Sequence, residues 1–138
     1  MGFLGRYAEY LYAIFRIVFG FLFASHGAQK IFGALGGQKA DAPLMMAAGW
    51  IELVAGLLIA VGLFASIAAF IAAGEMAVAY FMAHASGGWH PLLNRGEAAV
   101  LYCFAFLYIA ARGPGIWSID GLRTRGAAAT PAGPARRP

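Results

Sequence analysis

Apolar residues run along this chain in four long blocks separated by short glycine-rich or polar interludes. The blocks, residues 7–31, 44–64, 67–85 and 97–111, are too long and too continuously apolar for half-buried strands, and each predicts a helix. The interludes 33–43 and 86–96 read as turns, the second through Gly87, Gly88, Pro91 and Asn94. Only Ala65 and Ser66 separate the second block from the third. Taken as one helix, that combined run would reach about 60 Å, twice the roughly 30 Å of a bilayer's hydrocarbon, so the chain is predicted to fold back near Ser66. Beyond Arg112, Gly113, Pro114 and Gly115 break the helix, and Trp117, Ser118 and Asp120 suit an interfacial anchor. From Arg123 onward alanine, proline, glycine and arginine predominate, which predicts one domain over residues 1–122 and a disordered basic tail over 123–138.

Composition turns these helices into membrane spans. The chain is 62% hydrophobic and 12% charged, far from the roughly 45–50% and 25% of soluble domains. An all-α, four-transmembrane-helix bundle follows, with no room for a second folded domain. The beginning superficially resembles a signal peptide, with Arg6 before an apolar run and small residues at Ala24 and Ser25, but Arg16 interrupts that run and the first span is expected to be retained. The net charge is +4. Arg6, Arg112, Arg123, Arg125, Arg136 and Arg137 fall on the side of the termini, and Lys30, Lys39 and Arg95 on the other, so the N- and C-termini are predicted on the cytoplasmic side. The tail arginines then fit anionic lipid, and nucleic acid is not expected as a partner. Cys103 is the only cysteine, which excludes an intramolecular disulfide and thiol-relay chemistry; a packing role suits it.

Against this apolar background the ionisable residues inside the spans are the candidates for chemistry, because each costs about 2.5–3.5 kcal/mol to insert even on lenient scales. By helical rise, Arg16, Glu75 and Glu52 lie about 12, 13 and 18 Å above the cytoplasmic edge of their spans. Overlapping depths predict one shared buried network of a guanidinium and two carboxylates. On a helical wheel Arg16 shares its face with Gly20, Phe23, Gly27 and Lys30, and Glu52 shares one with Gly49 and Gly56. Ala68, Ala72, Glu75 and Ala79 form a third such row. Small residues permit close helix approach in lipid, so these faces should point inward. Such a network either fixes helix register or lets a carboxylate carry a proton.

Nearer the outer edge stand His26, Lys30, His84, Trp89, His90, Asn94, Arg95 and Glu97, each of which also has a reading as a head-group anchor. Glu97 opens the fourth span, where a carboxylate favours the positive helix end. His26 and His84 fall at similar depth on different spans, as ligands of a haem b would, although nothing else points to haem. No His/Cys/Asp spacing completes a tetrahedral zinc set, and no metal is expected.

The stretch 16–33, RIVFGFLFASHGAQKIFG, resembles the first span of the DoxX family. The resemblance continues through Gly49, Trp50, Glu52 and Gly56, then Gly62, Leu63 and Phe64, and Gly74, Glu75 and Met76. It closes with Pro91, Asn94, Gly96 and Glu97, and with Arg112 to Gly115, Trp117, Ser118 and Asp120. It implies a multi-pass bacterial inner-membrane protein of redox metabolism. Some family members are subunits of thiosulfate:quinone or quinol-linked oxidoreductases, and others belong to membrane complexes handling oxidative or sulfur stress. The polar positions it carries over are Arg16, His26, Lys30, Glu52, Glu75, Asn94 and Glu97.

Together these readings point to a membrane subunit binding quinone or quinol near the outer leaflet, in which His26, Lys30 or Glu97 hydrogen-bonds the ring oxygens and Glu52 or Glu75 passes the proton. Arg16, His84 and Asn94 complete the candidate cofactor-binding set. Lacking a flavin motif, a metal set or a cysteine pair, the chain is not a self-sufficient oxidase, and a redox partner protein is expected. Two competing readings are a non-catalytic assembly subunit of a redox complex and a small-solute or proton carrier.

Overall fold

A computed structural model describes residues 2–129 of the chain. Among the described residues the architecture is entirely helical: α1 (Ala8–Phe32), α2 (Pro43–Val61), α3 (Ala65–Ala79), α4 (Glu97–Arg112) and α5 (Ile119–Ala128). Three continuous helical stretches, Gly5–Phe32, Pro43–Val61 and Ala65–Gly87, are long and apolar enough to cross a membrane. α4, at 16 residues, is shorter. α1 packs mainly on α2, α2 on α3, and α3 on α4.

The distribution of side-chain size is the reverse of a water-soluble bundle. α3 buries Ala65, Ala68, Ala69, Ala72, Ala73 and Met76 while exposing Ile67, Phe70, Ile71 and Val78. With lipid outside there is no gain in hiding large apolar groups, and small inward residues let helices approach closely. α1 and α2 take this furthest. A Cβ on Gly20 would sit 2.6 Å from the backbone N of Ala60 and 2.7 Å from the Gly56 carbonyl oxygen, and one on Gly27 would sit 2.6 Å from the Gly49 carbonyl oxygen. The two backbones therefore touch directly.

α1 meets α4 differently. Few of their backbone atoms come close, and the space is filled by rings: Phe23 on Phe106 with centroids 4.7 Å apart, Phe19 on Tyr102 at 5.6 Å, and Tyr12 on Tyr108 at 5.7 Å. The inward faces predicted for Gly20, Gly27, Gly49 and Gly56 are observed, and the aromatic row of α1 forms a second packing face.

Two boundaries differ from the sequence expectation. The reversal between the second and third helices lies at residues 62–64, not at Ser66. Gly62 (φ 71°) closes α2 and Phe64 (φ 49°) precedes α3, and Asp120 Oδ2 accepts a 3.1 Å hydrogen bond from the Ala65 amide. A carboxylate at that helix start satisfies a free N–H and suits the positive helix end, so α3 begins at Ala65. The second difference is α5, which is helical to Ala128 where a disordered tail was expected from Arg123. Ser118 explains its start: its hydroxyl accepts from the Gly121 amide at 3.1 Å, an ordinary N-cap. Residues 130–138, including Arg136 and Arg137, lie outside the described residues.

Candidate functional site

The single network predicted for Arg16, Glu52 and Glu75 is not what the chain builds. Arg16, 0% exposed, pairs with neither carboxylate. Its Nη1 donates to the carbonyls of Ile59 (2.7 Å) and Ala60 (2.6 Å), and its Nη2 to those of Ile116 (3.2 Å) and Trp117 (2.7 Å). The cause is side-chain direction. Helical side chains lean toward their own N-terminus, so Arg16 reaches toward the end of the bundle that holds the termini. Glu52, on the antiparallel α2, leans the other way. The guanidinium thus satisfies the last carbonyls of α2 and holds residues 116–117 against them, with the Asp120 amide donating to the Gly62 carbonyl at 2.9 Å alongside.

A second polar cluster lies farther along the bundle. Lys30 stands about 21 Å beyond Arg16 on the α1 axis at 1.5 Å per residue, and its Nζ donates to Glu52 Oε1 at 2.5 Å. Glu52 is 2% exposed. Glu75 lies close enough to feel the charges of both Glu52 and Lys30, and Tyr102 close enough to feel that of Glu52. The other carboxylate oxygens, Glu52 Oε2 and Glu75 Oε2, are buried with no hydrogen-bond partner among the described residues. Two acids against one lysine leave acceptor capacity, and room for a proton, that nothing within the described chain fulfils.

On the α1–α4 side of this cluster, the exposed His26 ring meets Tyr102 edge-on with centroids 5.9 Å apart. His26 thus reaches the lipid-facing surface and touches Tyr102, which in turn feels the Glu52 charge. His84 is elsewhere. Its Nδ1 donates to the Asn94 carbonyl at 3.1 Å, and it shares no hydrogen bond or ring contact with His26. Asn94, 8% exposed, ties together the 85–96 loop: Nδ2 donates to Tyr80 Oη at 3.0 Å and to the Gly88 carbonyl at 2.8 Å, and Oδ1 accepts from the Gly96 amide at 2.8 Å. Glu97 is exposed in the first turn of α4. Of the predicted residues the fold brings together Lys30, Glu52 and Glu75, with His26 beside them through Tyr102. Arg16, His84, Asn94 and Glu97 lie apart from that group. No set of three or more His, Cys, Asp or Glu side chains among the described residues has metal-holding geometry.

Sequence reasoning missed Tyr102, and it took Asp120 for part of an interfacial anchor and not for the cap of α3. A signal existed for Tyr102: it lies about 7.5 Å inside the start of α4, deeper than a head-group belt, where its hydroxyl needs a partner. Asp120 carried no such signal, because its role depends on where the chain returns.

The DoxX family model matches residues 11–85, which hold all but the first turn of α1, the whole of α2 and α3, and Arg16, His26, Lys30, Glu52 and Glu75. This chain belongs to the DoxX family. It is also 39% identical over 125 residues to a Haemophilus influenzae protein described only as uncharacterized, the alignment covering 85% of this chain and 93% of that one. No solved structure matches. DoxX membership and the apolar helices make this a membrane protein.

Proposed function

We propose that this DoxX protein is a four-span subunit of a quinone-linked redox complex in the bacterial inner membrane, with both termini in the cytoplasm. The topology rests on α4 running against α3 and on charge: Arg6, Arg112, Arg123 and Arg125 at the terminal end against Lys39 and Arg95 at the other. The observation that carries the functional reading is the pair of buried, unpartnered oxygens, Glu52 Oε2 and Glu75 Oε2, beside Lys30 and near Tyr102, which touches His26.

Orphaned acceptors at that depth fit a membrane-soluble ligand that brings hydroxyl donors. A quinol supplies two electrons and two protons, and the electrons pass to a partner subunit. In this arrangement His26 and Tyr102 orient one ring oxygen. Glu52 takes a proton at Oε2 while Lys30 holds Oε1, which keeps the free oxygen aimed away from the ion pair. Glu75 Oε2 receives the second proton, and until then the Lys30 ammonium offsets part of the negative charge of the two acids. The α1–α4 seam, packed by rings and not by backbone contact, is the route from the bilayer.

The test is quinone extraction from protein purified in mild detergent, together with short-chain ubiquinol oxidation by membranes holding the assembled complex. Glu52→Gln, Glu75→Gln and His26→Ala should each lower bound quinone and turnover, the two glutamine variants by about 10²-fold or more in turnover if the acids are general bases. If all three lower thermal stability yet leave bound quinone and turnover intact, the chain is an assembly subunit. The bonds of Arg16 Nη1 and Nη2 to backbone carbonyls, and those of Asn94 to the Gly88 and Gly96 backbone and to Tyr80, favour that second reading.

A further inference from the structure

At the terminal end of the bundle a groove with a cavity volume of about 520 Å³ opens between the start of α1, the end of α2, the 113–118 strap and α5. Its walls are mainly apolar, with Tyr10, Val61, Ile116, Trp117 and Leu122 among the lining residues, and Arg125 is the charged group on its border. We propose that this groove is a binding site for one anionic phospholipid, which lays an acyl chain along Val61, Ile116 and Trp117 and sets its phosphate against Arg125.

Three observations favour this occupant. The first is that the groove is preformed. Arg16 holds the carbonyls of Ile116 and Trp117, the Ser118 hydroxyl donates to the Gly115 carbonyl at 2.6 Å, and the Asp120 amide is fixed to Gly62. Little ordering is then needed on binding. Its volume also lies within the roughly 300–1,000 Å³ of ordinary ligand sites.

The second is charge. Both acids at this end are engaged, Glu9 with Arg112 and Asp120 with the Ala65 amide. Arg123, whose guanidinium stands 5.6 Å from the centre of the Phe64 ring, and Arg125 form no salt bridge among the described residues. A planar guanidinium prefers two-point binding to a phosphate, and at a membrane surface each basic residue strengthens attachment to anionic lipid about fivefold.

The third is the apolar face beside them. Trp117, Ile119 and Leu122 are exposed, and the Tyr10 and Trp117 rings meet at 5.6 Å. Indole and phenol rings at the end of a membrane helix sit at head-group level, which places Arg125 where lipid phosphates are. Zwitterionic lipid offers the same chains without the net charge, so Arg125 makes the site selective for anionic head groups.

The experiment is native mass spectrometry of the full chain in detergent, titrated with phosphatidylglycerol, phosphatidylcholine or inorganic phosphate. One phosphatidylglycerol should remain bound in preference to phosphatidylcholine. Arg125→Gln should weaken that binding about fivefold, with Arg125→Lys restoring part of it and Trp117→Ala weakening both lipids alike. Arg125 and Trp117 are exposed, so folding should survive these changes. Equal retention of the two lipids, no response to Arg125→Gln, or full displacement of phosphatidylglycerol by inorganic phosphate would overturn the proposal. Quinone content is independent of this readout, so the site stands or falls apart from the redox reading.

Discussion

The two polar centres of this protein differ in what they leave over. Around Arg16 one buried donor, Nε, stays without a partner among the described residues, and the rest is satisfied by the protein itself: four backbone carbonyls on the two terminal nitrogens, Ser118 capping α5, and Asp120 capping α3. Around Lys30 the count does not close, since one ion pair serves two acids and two carboxylate oxygens stay without partners. Burial disfavours charge at both places. The first resolves it by joining segments distant in sequence, and the second keeps capacity that chemistry can use.

Substitution should break this contrast most strongly at Arg16. Arg16→Gln leaves several buried carbonyls without donors and frees the 113–118 strap, for an expected loss of roughly 4 kcal/mol, read as a lower thermal midpoint in detergent or a failure to accumulate. Arg16→Lys should recover only part, because a single ammonium lacks the fork that spans two chain segments. At the other centre, Lys30→Met strands a buried carboxylate and should destabilise by about 3 kcal/mol, whereas Lys30→Met combined with Glu52→Leu should return to near wild-type stability while losing any proton-accepting role. A double variant as unstable as the single one would show that the pair holds the helices in place, as Arg16 does.

The positions that sequence reading recovered and those it missed divide along the same line. The four long helices, their inward glycine faces and the proximity of Glu52 to Glu75 follow from periodicity and depth along each span. Depth alone placed Arg16 with the acids, because Cα height ignores that side chains on antiparallel helices lean in opposite directions. The reach of Lys30 down to Glu52 was missed for the same reason. Asp120 acts on the start of α3 across 55 residues, so its meaning depends on a return of the chain that no local pattern encodes, whereas Ser118 caps α5 locally. The fold-back at residues 62–64 was displaced by a few residues because the tertiary cap from Asp120 decides where α3 starts.

Smaller changes sharpen the contrast further. Asp120→Ala removes that cap and should lower stability by about 1 kcal/mol, measured by thermal unfolding, without altering bound quinone. Tyr102→Phe deletes one hydroxyl beside Glu52 and should leave stability within about 0.5 kcal/mol while reducing quinol-dependent turnover about fivefold, the worth of one hydrogen bond. Opposite outcomes for these two, with Asp120 changing turnover and Tyr102 changing only stability, would reverse the roles assigned to the two ends.

The glycine contact between α1 and α2 limits how this molecule can breathe. With main chain against main chain at Gly20, Gly27 and Gly56 there is no layer of rotatable side chains between those helices, so they travel as one stiff plank. Any widening that admits a bulky guest from the bilayer therefore falls to the opposite edge, where swinging phenyl and phenol groups, and not peptide units, hold α4 against α1.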